Sequence, residues 1–375
     1  MKVALHAGQL LQPIPGGIGR YVRELAEALP LVGVEVEAFG AGPRPADLPA
    51  RALGGRDGGG GDLAWHDLGW PGVPLRYELW HRLRRPTVRA PGDVVHATSL
   101  AVPPVQGRPL VVTVHDLVFL RQPENLTHRG VAFHTRGLAL TRRAASVVVV
   151  PSAFGRDDLV RERFDPSRIH LAHHGVRLPT PAPDPAGLVE ALGIAEPYLL
   201  FVGTIEPRKG VADVIEVHRR LRARHPDLCL VLAGPPGWGE PPPTGPGVIE
   251  LGPVTDDEVL DALYRQAVAL AHPARYEGFG LTPLEAMARG CPVVVSDAAC
   301  LPEVVGDGGI VVPTGDLGAL TDAVAGLLDR PGERSRWAAA GRARAAGFTW
   351  EASAAAHRRA YEAALAVGPA GIGVP

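Results

Sequence analysis

The sequence has little of what a disulfide-rich, membrane-spanning or nucleic-acid-binding protein needs. Its 375 residues include only three cysteines, Cys229, Cys291 and Cys300, an odd number without the spacing of a metal site, so buried thiols are expected. No apolar run approaches the roughly 20 residues that span a bilayer, and the first residues enter a strand pattern without a signal peptide. The net charge of −2 lacks the basic excess that nucleic-acid binding requires. We therefore expect a cytoplasmic protein with no nucleic-acid partner.

Lysine is almost missing, since only Lys2 and Lys209 of the 38 lysine and arginine residues are lysine. Lys209 follows the apolar, strand-like run 198–202 and precedes a helix-like run. A compact ammonium beside the guanidinium of Arg208 is a suitable pair for holding a diphosphate. A solvated basic turn is the alternative interpretation.

The length exceeds the roughly 250–300 residues at which single cores stop growing, so two domains are expected. Strand-like and helix-like segments alternate over residues 3–163 and again from Tyr198, which predicts an α/β fold of two doubly wound domains. Four prolines at alternate positions between them predict a semi-rigid linker. The cleft between two facing domains is a preferred place for a ligand. The predicted organisation is an N-terminal domain over 1–177, a proline-rich hinge over 178–190, a C-terminal domain over 191–349, and a helix over 350–375 that crosses back toward the N-terminal domain.

The most informative segment lies between Glu277 and Glu285 and reads EGFGLTPLE. A buried-strand run precedes it, and a run of helix formers that ends at Gly290 follows it. Thr282, Pro283 and Glu285 fit the N-cap, the first helical position and the third position of a capping box. Such a helix start favours an anion such as phosphate, and Glu277 would face the crevice beyond the carboxyl ends of the strands. The alternative is that Glu285 only caps its helix and Glu277 is a solvated loop acid.

Two strand ends in the first half carry further candidates. Gly16 and Gly17 follow the first strand, and their spacing does not match the dinucleotide-binding fingerprint, so a phosphate loop and a close approach to an acceptor both remain open. His115 ends the strand-like run 110–114, where it would be a proton shuttle, a sugar hydrogen-bond partner or a structural histidine. His173 and His174 have no carboxylate or cysteine at ligand spacing, so no metal site is expected there.

The segment from Arg76 to Arg89 contains five arginines interleaved with apolar residues, among them Trp80. This pattern suits an amphipathic face for peripheral contact with an anionic membrane or for a lipid-linked acceptor. A solvated helix with an apolar underside is the alternative.

Taken together, these segments resemble the glycosyltransferase family 4 enzymes of group 1, a retaining group with two facing Rossmann-like domains, known as the GT-B fold. The resemblance covers nearly the whole chain and implies an acceptor-binding N-terminal domain and a nucleotide-sugar-binding C-terminal domain. It rests on an ordered set of segments: Gly16-Gly17-Ile18-Gly19-Arg20-Tyr21, His115-Asp116, Ser152, His174-Gly175-Val176, Gly203-Thr204, Pro207-Arg208-Lys209-Gly210, and the E-x7-E motif from Glu277 to Glu285.

The resemblance implies a role for each matching residue. Glu277 would contact the transferred sugar, and His115 would lie against the hydroxyls of the donor sugar near the reaction centre. Arg208 and Lys209 would hold the donor diphosphate, and Glu285 would bind the ribose. The other implied donor-binding residues are Gly16 and Gly17 at the phosphates or the acceptor, Phe279, Gly280, Leu281 and Thr282 around the sugar and phosphates, and Val254 in the segment that holds the base.

The implied activity is hexosyl transfer from a nucleotide-diphosphate sugar, without a metal or other cofactor, to a hydroxyl of a glycan, lipid-linked or small-molecule acceptor in polysaccharide or glycoconjugate biosynthesis. The acceptor would attack on the face from which the diphosphate leaves, and a phosphate oxygen would take its proton. The segment 203–210 looks like that of mannosyltransferases with a guanosine diphosphate donor, although many members have arginine where this chain has Thr204. A sugar phosphorylase, a sugar-nucleotide epimerase or a non-catalytic nucleotide-sugar-binding subunit on the same scaffold are the alternatives.

Overall fold

The computed structural model describes residues 1–49, 63–69, 72–178, 181–237 and 243–370. They form two compact units, the first comprising Met1–Gly175 with Thr349–Pro375 and the second Val176–Phe348. The chain therefore passes from the first unit to the second after Gly175 and returns after Phe348. Among the described residues, none of the helices combines the length and the apolar character needed to cross a bilayer.

The described part of the first unit is built on a seven-stranded parallel sheet in the order β3-β2-β1-β4-β5-β6-β7. The strands are β1 (Lys2–His6), β2 (Glu35–Gly40), β3 (Ala64–Asp67), β4 (Val94–Ala97), β5 (Leu110–Thr113), β6 (Val147–Val150) and β7 (Ile169–Leu171). The helices are α1 (Gly16–Ala28), α2 (Val73–Leu83), α3 (Val118–Arg121), α4 (His128–Ala144), α5 (Ala153–Arg161) and, at the end of the chain, α13 (Trp350–Val367).

Strand β1 shows how the sequence places helices on both faces of this sheet. Successive side chains of a strand point to opposite faces. Val3 and Leu5 join one apolar cluster with Leu25 of α1, whereas Ala4 joins a second cluster with Trp80 of α2. All five are fully buried. A near-continuous apolar strand is what a sheet covered on both faces requires.

Helix α13 is last in the sequence but belongs to the first unit. Ala360 and Tyr361 are fully buried in the same cluster as Leu5 of β1. A Cβ on Gly175 would lie 2.3 Å from the backbone nitrogen of Trp350, so only glycine lets the chain pass this closely to the start of α13.

The described part of the second unit is built on a six-stranded parallel sheet in the order β10-β9-β8-β11-β12-β13. The strands are β8 (Tyr198–Val202), β9 (Cys229–Ala233), β10 (Val248–Gly252), β11 (Ala269–His272), β12 (Val293–Ser296) and β13 (Ile310–Val312). The helices are α6 (Pro185–Ala191), α7 (Val211–Leu221), α8 (Asp257–Gln266), α9 (Leu281–Ala288), α10 (Leu301–Val305), α11 (Leu317–Asp329) and α12 (Pro331–Ala345).

Strand β8 is central in this sheet and is buried on both faces. Leu200 pairs with Val231 of β9 and with Leu270 of β11 and lies in the cluster that contains helix α9. Leu199 and Phe201 face the opposite cluster, which contains α7 and α11. Two parallel sheets with helices on both faces confirm the predicted α/β class.

The last part of the predicted proline-rich hinge over residues 178–190 is a helix. Residues 185–190 are helical, because α6 begins with Pro185 at its first position and the Asp184 carboxylate accepts the N–H of Gly187 at 2.9 Å. Proline is tolerated there because that position has no intrahelical acceptor for an N–H. The run of alternate prolines that was predicted to be extended therefore ends where α6 begins, at Pro185, and residues 179 and 180 lie outside the described residues.

Candidate active site

The second unit brings its predicted phosphate and sugar residues to one edge of the sheet. The strand order reverses between the adjacent strands β8 and β11. In α/β sheets, ligands bind beyond the carboxyl ends of the strands at such a reversal. The loop after β8 carries Arg208 and Lys209, and the loop after β11 carries Glu277. The two loops therefore meet where a ligand is expected.

Lys209 and Glu277 form an ion pair at this edge. The ammonium of Lys209 donates to Oε2 of Glu277, and a guanidinium nitrogen of Arg208 lies 4.0 Å from the same oxygen. Arg208 also donates to the carbonyl of Tyr276 at 2.9 Å and to the carboxylate of Glu206 at 2.5 Å. The Lys209, Glu277 and Arg208 side chains are 13%, 16% and 17% exposed. This shielding excludes both a solvated basic turn and a solvated loop acid.

His272, at the end of β11, completes the charge arrangement around Glu277. Its Nε2 lies 3.4 Å from Oε2 of Glu277. Burial lowers the pKa of His272, although the nearby carboxylate opposes the shift. Burial alone would raise the pKa of Glu277, but Lys209, His272 and Arg208 together hold it well below its usual range. Glu277 is therefore a carboxylate and His272 is neutral at neutral pH.

The helix start after Glu277 is real, but the predicted capping box is wrong. The N-cap of α9 is Gly280, with φ of +92° and no side-chain cap, so Thr282 and Pro283 are the second and third helical residues. Glycine adopts this left-handed conformation without strain, and proline costs no hydrogen bond in the first helical turn. The first-turn N–H groups are thus left uncapped by a side chain, as an anion site requires.

Glu285 is buried on α9 instead of reaching back to cap the helix. The hydroxyl of Tyr264, on α8, donates to Oε2 of Glu285 at 3.2 Å. The guanidinium of Arg289 donates to the Glu285 carbonyl at 3.1 Å. The interpretation that Glu285 only caps its helix is therefore excluded, and its carboxylate is fixed in place by a tyrosine.

The remaining predicted donor residues of this unit lie in three places. Leu281 and Thr282 are half-buried in the first turn of α9, next to Gly280. Phe279 is buried against Phe348, with ring centroids 6.0 Å apart. Val254 follows β10, which is separated from β8 by β9, so it lies apart from the Lys209 and Glu277 pair along the sheet.

In the first unit, His115 follows β5, and its Nε2 donates to the carbonyl of Thr98, after β4, at 2.8 Å. A carbonyl only accepts hydrogen bonds, so Nε2 carries the proton. Burial lowers the pKa of His115, so the ring is neutral and Nδ1 keeps its lone pair. His115 can therefore accept a hydrogen bond from a hydroxyl group.

Gly16 and Gly17 form the first turn of α1 and are exposed. Tyr21, one turn further along α1, packs edge-to-face against His115 with ring centroids 5.0 Å apart. The structure thus connects the glycine-containing helix and His115 through one aromatic contact.

A buried hydrogen-bond chain lies behind His115 and begins on α13. His357 Nδ1 lies 2.8 Å from the Ser353 carbonyl, and burial lowers the pKa of His357 to about 4, so Nδ1 carries the only ring proton and Nε2 accepts. The Tyr21 hydroxyl, 2.8 Å from Nε2, must then donate to His357. Thr113, 2.8 Å from the same hydroxyl, donates to Tyr21.

The hydrogen-bond chain continues through His96 to a second tyrosine, Tyr361, which lies on α13. Because the Thr113 proton is already used, His96 Nε2 donates to Thr113 at 2.8 Å. Burial holds the pKa of His96 well below its usual range, so its Nδ1 accepts from the Tyr361 hydroxyl at 2.8 Å. The single carbonyl of Ser353 thereby fixes the direction of every bond in the chain.

The sequence analysis did not assign a role to His272, Tyr264 or the chain from Tyr361 to His357. His272 is the last residue of strand β11, and His115 was identified because it follows a strand. A search for polar residues at strand ends would therefore also have identified His272. Tyr264 and Tyr361 lie on helices far from the motifs in sequence, and only the packing of those helices reveals them.

The segment from Arg76 to Arg89 does not form one cationic helix face. Helix α2 ends at Leu83, and Arg84 adopts a left-handed conformation with φ of +52°. Arg76 is buried and donates to the carbonyls of Leu68 and Gly69 at 2.7 and 2.8 Å. Hydrogen bonds to carbonyls, rather than an apolar period, thus determine where these arginines point.

Within the described ranges, no three His, Cys, Asp or Glu side chains are grouped so that they could hold a metal ion. Cys229, Cys291 and Cys300 are free thiols, the last two buried. The Cys300 thiol donates to the Glu277 carbonyl at 3.0 Å, so this cysteine supports the loop that carries the acid.

The fold and the sites define the class of protein. The two parallel units have the GT-B fold of glycosyltransferases. The solved structure of Anabaena HepE in complex with UDP and glucose matches with a TM-score of 0.71 at 19% identity, over 96% of this chain and 98% of that one.

Two family descriptions cover most of the sequence: residues 15–180 match glycosyltransferase family 4 and residues 190–344 match glycosyl transferases group 1. D-inositol 3-phosphate glycosyltransferase of Frankia alni is 30% identical over 427 aligned residues, covering 99% of this chain and 100% of that protein. O-antigen chain mannosyltransferase B of Escherichia coli is 32% identical over 257 residues, covering 64% of this chain and 67% of that protein. The chain belongs to the group 1, family 4 glycosyltransferases, which confirms the predicted family, and it transfers a sugar from a nucleotide sugar.

Proposed function

We propose that the enzyme transfers a hexosyl unit, with retention of the anomeric configuration and without a metal, from a guanosine-diphosphate sugar such as GDP-mannose. The acceptor is a hydroxyl of a glycan, lipid-linked or small-molecule acceptor. The observation that carries the proposal is the shielded Lys209 and Glu277 pair beside Arg208, at the point where the strand order of the second unit reverses.

Lys209 has enough N–H groups to bind both Glu277 and the diphosphate of the sugar donor. An ammonium group has three N–H donors. One of them engages Glu277, so two remain to be directed at phosphate oxygens. Arg208 is held beside it by Glu206 and the Tyr276 carbonyl. Two fixed cations and the uncapped start of α9 supply the positive field that a leaving diphosphate needs, which is the role a metal has in other transferases.

The proposed step needs no carboxylate nucleophile. The acceptor oxygen forms a bond to the anomeric carbon as the bond from that carbon to the diphosphate oxygen breaks. The acceptor proton passes to a phosphate oxygen of the leaving group, so the charge that develops stays beside Lys209 and Arg208. Glu277 remains a carboxylate and binds hydroxyls of the transferred sugar, which is consistent with its lowered pKa.

Two other residues have supporting roles in this proposal. His115 accepts a hydrogen bond from a donor-sugar hydroxyl through Nδ1, as its hydrogen bond to Thr98 permits. Glu285 accepts from the ribose hydroxyls, since its carboxylate is held by Tyr264. Gly16, Gly17, Gly280, Leu281 and Thr282 offer backbone groups to the phosphates and sugar, and Val254 contacts the base.

The identity of the nucleotide-sugar donor is the most specific part of the proposal. Two observations support a guanosine-diphosphate sugar as the donor. Segment 203–210 resembles that of mannosyltransferases, and the E. coli relative is named as a mannosyltransferase. The UDP in the HepE structure makes the uridine series the natural comparison.

A nucleotide screen tests the donor and the site together. The melting temperature of the enzyme is measured with GDP, UDP and the corresponding sugar nucleotides, with and without EDTA. We expect stabilisation by the guanosine series that EDTA does not remove, because a ligand that binds only the folded state raises its stability. Stabilisation by uridine nucleotides alone would contradict the donor, and loss of turnover with EDTA would contradict metal independence. The configuration of the product, from the NMR coupling at the anomeric proton, tests retention.

A further inference from the structure

The first unit contains an open cavity of about 850 Å³ in which arginine predominates. Four of its lining residues are arginines, Arg76, Arg84, Arg85 and Arg89, and Thr87 and Gln106 add polar groups. We call this the arginine cavity. None of the described residues that line it is acidic. No residue implied in donor binding or catalysis lines it.

Two of these arginines form a fixed, poorly solvated wall. Arg84 donates to the carbonyls of Trp80, Val102 and Pro103 at 2.9–3.1 Å, and burial lowers its pKa to about 10. Burial also lowers the pKa of Arg76, and Asp67 offsets only part of that shift. The carbonyl acceptors of Arg84 orient its guanidinium but carry no full negative charge to balance it. An anion in the cavity would therefore be stabilised by the charge of Arg84.

The other two arginines are available to such an anion. Arg85 and Arg89 are exposed, and neither has a hydrogen-bond or ion-pair partner within the described ranges. They lie in the connection from α2 to β4. This connection is held in place, because Arg108 donates to the Val88 carbonyl at 2.8 Å and Val88 N–H donates to the Pro104 carbonyl at 3.0 Å. These hydrogen bonds hold the backbone of the segment that carries Arg85 and Arg89 in place.

We propose that the arginine cavity is a second phosphate-binding site, separate from the donor diphosphate site. Its ligand class is a phosphate monoester or diester. The planar guanidinium group presents paired donors that match two phosphate oxygens, and arginine is the usual residue for this recognition. A cavity with several guanidinium groups and no carboxylate among its described lining residues selects an anion over a neutral sugar. A soluble phosphorylated ligand and a phospholipid headgroup share this chemistry.

The test compares variants of the full-length enzyme with inorganic pyrophosphate as probe, by titration calorimetry. The cavity variant is Arg85→Ala with Arg89→Ala, and its matched control is Arg129→Ala with Arg143→Ala, two exposed arginines of α4 outside the cavity. The variant Lys209→Ala reports the donor site. We expect one binding component to weaken about ten-fold or more in the cavity variant. The same component should persist in the control and in Lys209→Ala.

A second measurement separates the two sources of the phosphate. The same variants are sedimented with phosphatidylcholine vesicles that contain or lack phosphatidic acid. Loss of pyrophosphate binding in the cavity variant supports a soluble phosphorylated ligand. Loss of binding only to phosphatidic-acid vesicles supports a lipid headgroup, and with it the predicted peripheral membrane contact of the segment from Arg76 to Arg89. If the cavity variant and its control behave alike toward both probes, the proposal is overturned.

Discussion

The two units use different chemistry at the residues assigned to one reaction. The second unit gathers charge at its site, since Lys209, Arg208 and the Glu277 carboxylate lie within one shielded cluster. The first unit surrounds its candidate residue with buried neutral histidines, and His115, His96 and His357 are linked to hydroxyls and carbonyls. A charged cluster suits a diphosphate, whereas neutral acceptors suit sugar hydroxyls. The difference predicts distinct responses to pH and to substitution.

Acid should distinguish the units most strongly. Burial lowers the pKa of eight described histidines in the first unit but of only two in the second. In the first unit these are His6, His81, His96, His115, His134, His170, His174 and His357, and in the second they are His218 and His272. A histidine buried as the neutral form contributes its full stability above the unfolded pKa near 6.5 and loses it as the pH falls toward the folded pKa.

From about pH 7 to about pH 5 we expect the first unit to lose roughly 5 kcal/mol or more of unfolding free energy, since each such histidine contributes up to about 1.4 kcal/mol per pH unit. Glu277, with its lowered pKa, destabilises the second unit only below its ordinary value of 4.5. Peptide-resolved hydrogen exchange measures the two units separately. The variant His357→Gln should flatten the response of the first unit, and equal loss of protection in both units would contradict this prediction.

Replacement of Lys209 should have the largest effect on activity. Lys209→Ala removes the ammonium from the proposed diphosphate site, so kcat/KM should fall by about 10²–10³-fold, in the range observed when one donor to a developing charge is lost. The other lysine provides the control. Lys2 pairs with Glu35 and Glu37 at the start of β1, and Lys2→Ala should leave kcat/KM within about two-fold. A Lys209→Ala enzyme as active as Lys2→Ala would remove Lys209 from the site.

Replacement of Glu277 should separate turnover from nucleotide binding. Glu277→Gln keeps the shape of the side chain but frees Lys209 from its ion pair. Turnover should fall by about 10²-fold, because sugar hydroxyls bind a neutral amide less strongly. Affinity for the nucleotide diphosphate should be unchanged or higher, because Lys209 no longer has a competing carboxylate. Parallel measurement of Glu285→Gln, which should weaken nucleotide binding, provides the contrast, and a Glu277→Gln enzyme that loses nucleotide affinity would contradict the assignment.

The buried hydrogen-bond chain predicts a smaller effect, on stability, that should be larger for Tyr21→Phe than for Tyr361→Phe. Tyr21→Phe removes the donor to His357 Nε2 and the acceptor of the Thr113 hydroxyl proton, whereas Tyr361→Phe removes only the donor to His96 Nδ1. Since a buried group without its partner costs about 1–3 kcal/mol, we expect about 2–3 kcal/mol for Tyr21→Phe and about 1 kcal/mol for Tyr361→Phe. Urea unfolding of the two variants measures the difference. Equal costs would contradict the loss of two hydrogen bonds at Tyr21 against one at Tyr361.

The sequence predicted the sheet class well because central parallel strands are continuous apolar runs, such as 147–150 and 198–202. The edge strands β3 (Ala64–Asp67) and β7 (Ile169–Leu171) escaped prediction, because their short polar-containing segments, with His66 and His170, lack that signal. Helix α6 was not predicted, because it begins at the last of the four alternate prolines, which indicated a linker.

At the candidate site, local patterns identified the residues but not their partners. Strand-end position and the E-x7-E spacing led to Lys209 and Glu277, whereas their ion pair depends on the adjacency of β8 and β11, which no local window contains. The capping box was wrong because Gly280 begins α9 before Thr282. The local pattern from Arg76 to Arg89 also did not reveal that α2 ends at Leu83 or that Arg76 is buried by its hydrogen bonds to two carbonyls.

The affinity of nucleotide diphosphates for the two lysine variants tests the central claim most directly. Titration calorimetry with GDP and UDP compares the unmodified enzyme with Lys209→Ala and Lys2→Ala. We predict that Lys209→Ala binds the preferred nucleotide about ten-fold or more weakly, because charge-assisted bonds to phosphate are lost, while Lys2→Ala binds as the unmodified enzyme does. Equal affinity in all three proteins would contradict the claim that the Lys209 edge of the second sheet holds the donor diphosphate.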